Sequence, residues 1–245
     1  MDNAALISLS YQVAAYRSME VIANNLANLS TPAYKRESVK FEQLVQQVQP
    51  ADAASGPQTL SFVRDAGVVR DASEGRFDTT GAPYDLAISG KGYFVVQTAG
   101  GERYTRNGHF TLNADGVIVT GEGDPLLSDG GPVTIAVDDG DITIGADGTV
   151  SGKQGQIAKL RLVDFADERA LRKTGASLYT TSQAAVPATE AKLSQGMLES
   201  SNVQPVLEIS RMIEVMRAYE ATATLSKSAD DLKRQAIQKL GAIPG

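Results

Sequence analysis

The sequence predicts an α+β protein, with long N- and C-terminal helices forming a coiled-coil-like domain and a central antiparallel β domain between them. Three observations carry this. Nineteen of the 23 glycines lie between Gly56 and Gly155, none lies in residues 1–55, and only Gly196 lies in 176–240. Apolar residues recur at helical spacing at both ends, and the glycine-rich middle breaks into short strand-like runs. Glycine costs a helix interior about 1 kcal/mol relative to alanine but suits tight turns, so its distribution separates two regimes.

The first segment places Leu6, Leu9, Val13, Tyr16, Met19, Ile22, Leu26 and Leu29 on one continuous stripe. Asp2 or Asn3 can cap its start, and Pro32 pushes Thr31 out of the α region. From residue 6 to 29 the helix would run about 36 Å. Its other face carries only Arg17 and Glu20 as charges, among Ser, Gln, Asn and Ala, which suits burial among other helices. Residues 23–28 read Ala-Asn-Asn-Leu-Ala-Asn, and asparagine is a weak helix former. Two readings stand: a fraying last turn with Asn28 and Ser30 near the cap, or a tight junction whose carboxamides bond neighbouring backbone.

Residues 37–75 are read as a connector. Phe41 to Val48 suits a helix or a strand, and 49–56 is loop-like. Strand-like runs follow at 85–88, 93–96, 117–119, 133–137, 142–144 and 159–163, separated by Gly-Lys-Gly, Gly-Gly and Asp-Gly turns. Residues 114–117 and 146–149 look like two hairpin tips of one design. This gives a β-rich domain over 76–185 and a return linker over 186–199. In the last segment Ile209, Met212, Met216, Tyr219 and Ala223 align, then Leu225, Ala229, Leu232, Ala236 and Leu240 after a phase shift. Pro205 suits the first turn and Gly241 the stop, for a helix of about 52 Å. Residues 1–36 and 200–245 thus carry two long helical stripes that can be satisfied by each other or by other chains.

Composition removes most chemistry. The chain has 245 residues, no cysteine and one histidine, His109, so thiolate and most histidine metal sites are excluded. A net charge of −6 offers no basic field for nucleic acid. No apolar run reaches 18 residues, so no membrane insertion is expected, and the N-terminus lacks the pattern of a cleaved signal peptide. Thr111, Asn113, Asp115, Gly116 and Glu122 approach a calcium loop, but Thr111 stands where an aspartate belongs and strands flank it, so a hairpin turn is the better reading. Gly90-Lys91-Gly92 lacks the phosphate-loop pattern, and His109 has no evident catalytic partner. The expectation is a protein that is not an enzyme and has no catalytic, cofactor-binding or metal residues.

A family becomes visible in the motifs. Residues 23–36, ANNLAN then Leu-Ser-Thr-Pro-Ala-Tyr-Lys-Arg, resemble the ANNLAN-x-x-T-x-G-F/Y-K-R signature of bacterial flagellar rod and hook axial proteins. The run from Thr80 to Val96 and Tyr104-Thr-Arg-Asn-Gly-His-Phe110 look like that family's TGN-x-x-D-L-A-I-x-G-x-G-F-F-x-V and YTR-x-G-x-F. Gly196-Met-Leu-Glu-Ser-Ser-Asn-Val203 and Met216-Arg-Ala-Tyr-Glu220 resemble G-x-L-E-x-SNV and QRAYE.

The resemblance implies terminal helices that join into an inner domain, stack into a tube with other subunits, and are disordered in the free monomer. It also implies unfolded passage through the flagellar type III export apparatus, a place in the periplasm-spanning rod, and partners that are other rod proteins and further copies of the chain. Subunit packing is then expected at Leu9, Val13, Asn24, Asn25, Leu26, Asn28, Met212, Met216, Tyr219, Leu225 and Leu232. Length argues against a hook protein. Pro32-Ala33 in place of Thr-Gly, Met216 in place of Gln, and Ala221-Thr-Ala-Thr224 favour a proximal-rod over a distal-rod member. The contrasting reading is a β-rich surface binding module with a self-contained coiled coil.

Overall fold

The computed structural model describes residues 2–48 and 58–241, with side chains described over 6–42, 63–64 and 66–239. The fold is α+β. Helix α1 spans Asp2–Ala27 and helix α2 spans Pro205–Gly241. At 1.5 Å per residue they are about 39 and 55 Å long. The chain divides into two compact units, one of residues 1–27, 37–70 and 204–245 and one of 28–36 and 71–203.

In the helical unit α1 and α2 pack on each other, and α1 also packs on a hairpin of β1 (Glu37–Val48) and β2 (Gln58–Arg70). The hairpin is antiparallel from Glu37↔Arg70 to Val48↔Gln58, with a bulge between Val39 and Phe41. The segment read as a connector therefore contains two long strands, and the loop-like stretch 49–56 lies outside the described residues. Neither strand alternates cleanly, so only their pairing distinguishes them from helix. Val21 and Ile22 are buried here.

The β unit holds a six-stranded antiparallel sheet. Its order is Arg172–Gly175, Leu178–Thr180, β6 (Gly101–Thr105), β5 (Tyr93–Thr98), Leu162–Asp164 and Val186–Pro187. Two apolar clusters fill the unit, one around Leu86, Phe94, Phe110, Leu126 and Val150, the other around Tyr93, Val95, Phe165 and Tyr179. Alternate residues of β5 thus feed opposite clusters, as a strand with both faces covered must. Both expected tips are hairpin turns, with Gly116 and Gly148 at φ 75° and 85°.

Two runs differ from expectation. Residues 133–137 make only a single bridge, Val117↔Thr134, before a 3-10 turn at Val137–Asp139 whose Asp139 carboxylate accepts from the Ala136 N–H at 2.7 Å. The 159–163 run is divided between sheets, because Gly155–Lys159 pairs with Thr149–Gly152 while Leu162–Asp164 joins β5. Residues 186–199 contain strands as well: Lys192–Gln195 pairs with β4 (Leu86–Ser89), and Met197–Glu199 pairs with β3 (Phe77–Thr79). Among the described residues no helix is long and apolar enough to cross a membrane.

Candidate functional site

Within the helical unit the Ala-Asn-Asn-Leu-Ala-Asn run ends α1 at a polar knot. Asn25 is fully buried. Its Nδ2 donates to the Glu37 carbonyl at 2.8 Å and to Glu208 Oε2 at 3.0 Å, and its Oδ1 accepts from the Glu37 N–H at 2.9 Å. One side chain thereby fixes the start of β1 and the first turn of α2. Glu208 is equally buried and also accepts from Arg211 at 2.8 Å. Of the two readings of this run, the junction describes Asn25. Asn24 is exposed, Leu26 is half-buried, and Asn28, in the β unit, accepts from Thr31 Oγ1 at 3.1 Å.

The β unit has a second knot, built from three of the quoted motifs. Glu199 accepts from Lys35 Nζ on Oε1 at 2.6 Å and from Arg106 Nε on Oε2 at 2.8 Å, and all three side chains are no more than 5% exposed. Lys35 also donates to the Ser73 carbonyl at 2.7 Å, and the Gly75 N–H donates to Glu199 Oε1 at 2.9 Å. Arg106 reaches the carbonyls of Ile88 and Gly90 and the half-exposed Glu74 carboxylate at 3.2 Å. Buried charge is tolerated when it is paired and hydrogen-bonded, and here each of the three charged groups has at least two partners.

Burial alone would push the Glu199 carboxyl up, but Arg106 and then Lys35 outweigh it and hold it below the usual glutamate value. At Lys35 burial prevails over the Glu199 attraction and draws the ammonium down. For Arg106 burial is again the largest influence, yet the Glu199 charge and hydrogen bond lead the opposing effects and drive the guanidinium above its ordinary value.

Beside this cluster Asn202 gathers the chain ends of the β unit. Its Oδ1 accepts from the Arg36 N–H at 2.6 Å, and its Nδ2 donates to the carbonyls of Asp71 and Ser73 at 3.0 Å each. The Asn202 N–H donates to the Tyr34 carbonyl, and the Ala33 N–H donates to the Glu199 carbonyl at 2.7 Å. Ala33 adopts φ 55°, the left-handed conformation for which the signature carries glycine.

Lys35, Arg106, Glu199, Asn202 and Glu208 were not among the expected site residues. For the first four a signal was present, a charged or amide side chain at a set place inside a quoted motif; Glu208 lies in none of them. His109 is exposed, and its Nδ1 lies 2.7 Å from Oδ1 of the buried Asp85, beside which it forms a backbone bridge.

The remaining predicted packing residues lie on the helices. Leu9 and Val13 are 55% and 62% exposed, and with Leu6, Ala14 and Val63 they line a groove of about 470 Å³ in the helical unit. On α2, Met216, Leu225 and Leu232 are exposed, while Met212 and Tyr219 are half-buried.

Three regions match known families. Residues 12–35 match the flagella basal body rod protein family, 87–152 the flagellar hook protein FlgE/F/G D1 domain, and 194–239 the flagellar basal body rod FlgEFG protein C-terminal region. The flagellar basal-body rod protein FlgF of Caulobacter vibrioides is 44% identical, with 99% of this chain and 100% of the relative aligned. The chain belongs to the flagellar basal-body rod protein family. The FlgG rod protein of the same bacterium is 35% identical over 90% of this chain and 93% of its own, and FlgG of Bacillus subtilis is 32% identical over 89% and 92%. As a member of a structural family, this rod protein is a building subunit and not an enzyme.

Proposed function

We propose that this rod subunit is of the proximal, FlgF type and assembles helically through its terminal helices, passing torque from one subunit to the next. The observation that carries the assembly reading is the pair of apolar stripes left exposed on α1 and α2, from Leu6 to Tyr16 and from Val206 to Ile237. Scattered exposed apolar residues are ordinary, but two stripes on long helices call for partners. Each such side chain contributes about 1.5–3 kcal/mol once fully buried. Contacts between unlike faces of identical chains that do not close into a ring propagate as a helix, which is the geometry a rod requires. The proximal assignment rests on the higher identity to FlgF than to FlgG within one organism, 44% against 35%.

The partners are further copies of this chain and other rod proteins, packed in the periplasm through Leu9, Val13, Asn24, Leu26, Asn28, Met212, Met216, Tyr219, Leu225 and Leu232, while Asn25 works within its own chain. The helices pair in coiled-coil fashion and order fully only on assembly, since an uncovered stripe does not offset its ordering entropy. The chain reaches the rod unfolded through the flagellar type III apparatus, and the absence of cysteine keeps it free of cross-links on the way. The test is Leu232→Asp. It should abolish incorporation into basal bodies while the β unit stays folded, and an assembled rod carrying it would contradict the interface.

A further inference from the structure

Lys35 and Glu199 lie 164 residues apart in sequence, one just after the first terminal helix and the other just before the second. Lys35 and Arg106 are both buried cations that disfavour each other, and Glu199 is the buried anion shared by both. Glu74 pairs directly only with Arg106, from a position that is 39% exposed, and its attraction for Lys35 is the weakest of the influences on that ammonium. Two backbone bonds join the same segments, from the Ala33 N–H to the Glu199 carbonyl and from the Asn202 N–H to the Tyr34 carbonyl. With residues 199–203 undocked, two desolvated cations would face each other with no buried counter-charge, and residues 33–36 would lose the bonds that Ala33, Tyr34, Lys35 and Arg36 make to Glu199 and Asn202. With residues 33–36 undocked, Glu199 would retain Arg106 but lose half of its compensation.

We propose that the Lys35–Glu199–Arg106 cluster is a conformational latch that makes residues 33–36 and 199–203 dock on the β unit together or not at all. The coupling is reciprocal, as any free-energy coupling between two sites must be. Its consequence is that a subunit presents the attachment points of both terminal helices or neither. A chain whose C-terminal strand is not in place cannot hold its N-terminal flank. The latch belongs to the single subunit and stands whichever position in the rod that subunit takes.

The test is residue-resolved hydrogen exchange on the purified full chain, comparing wild type with Lys35→Met and Glu199→Gln. In Lys35→Met the N–H groups of Ser200 and Asn202, remote in sequence, should exchange at least about tenfold faster, as locally opened amides do, with Phe94 to Val96 unchanged. In Glu199→Gln the reciprocal acceleration should fall on Ala33 and Arg36. Acceleration confined to the substituted segment in either variant would overturn the latch. If Glu199→Gln also releases Phe94 to Val96, Lys35→Met decides alone, and release of that strand in Lys35→Met too would overturn a locally opening device. Protection along 206–239, read in the same spectra, reports on helix assembly and does not enter the comparison.

Discussion

Asn25 donates to Glu208 at 3.0 Å across 183 residues of sequence, and neither side chain is exposed to solvent. The last turn of α1 thereby holds the first turn of α2. Asn25→Ala would take from the buried Glu208 carboxylate one of its donors and open the Glu37 backbone pair, costing about 2–3 kcal/mol. Asn25→Asp would set a second carboxylate against Glu208 and should be worse. The count of assembled rods in cells, with protein levels matched, reads both, and wild-type numbers for Asn25→Asp would refute the role.

Ala33 holds a left-handed backbone that a Cβ disfavours by about 1–2 kcal/mol. Part of that is lost again to the freer unfolded chain when glycine is introduced. Ala33→Gly should therefore stabilise the β unit by about 0.5–1 kcal/mol, a rise of a few degrees in its melting temperature. A fall would mean that the packing of the Ala33 methyl outweighs the backbone.

Acid should weaken the β unit through Glu199. Its folded carboxyl lies below the ordinary value of 4.5, because Arg106 and Lys35 together overcome burial. The stabilisation is present in full above 4.5 and is lost as pH falls through the lower folded value, since the unfolded chain takes up the proton first. Melting temperatures from about pH 6 down to about pH 3 should drop more steeply for wild type than for Glu199→Gln. Parallel curves would contradict the assignment.

Gly108 is required by space rather than by rotation. A Cβ there would come within 1.6 Å of the Leu86 carbonyl oxygen, in the first residue of β4. Gly108→Ala should cost at least about 3 kcal/mol, read by urea unfolding of the β unit. Gly123, with open space around its Cβ position but φ 91°, should cost less on the same substitution.

Periodicity made α1 and α2 legible, because a stripe of eight or ten apolar residues survives local noise. Turn chemistry made the hairpins at Gly116 and Gly148 legible. The β1–β2 pair was not, since Glu37–Val48 shows its strand character only against Gln58–Arg70. The 133–137 run misled because Val133 and Ile135 alternate inward as a strand would, yet Asp139 captures the Ala136 N–H and turns the chain. The latch was hidden for another reason. Glu199 stands 164 residues from Lys35 and 93 from Arg106, and only the folded chain brings the three to one buried point.

If both helical stripes are subunit interfaces, assembly must cover them. Hydrogen exchange along residues 6–26 and 206–239, measured on the free chain and on purified rods, is the test. Exchange should be rapid in the free chain and strongly suppressed in the rod. Strong protection already present in the free chain, unchanged on assembly, would contradict the interface reading.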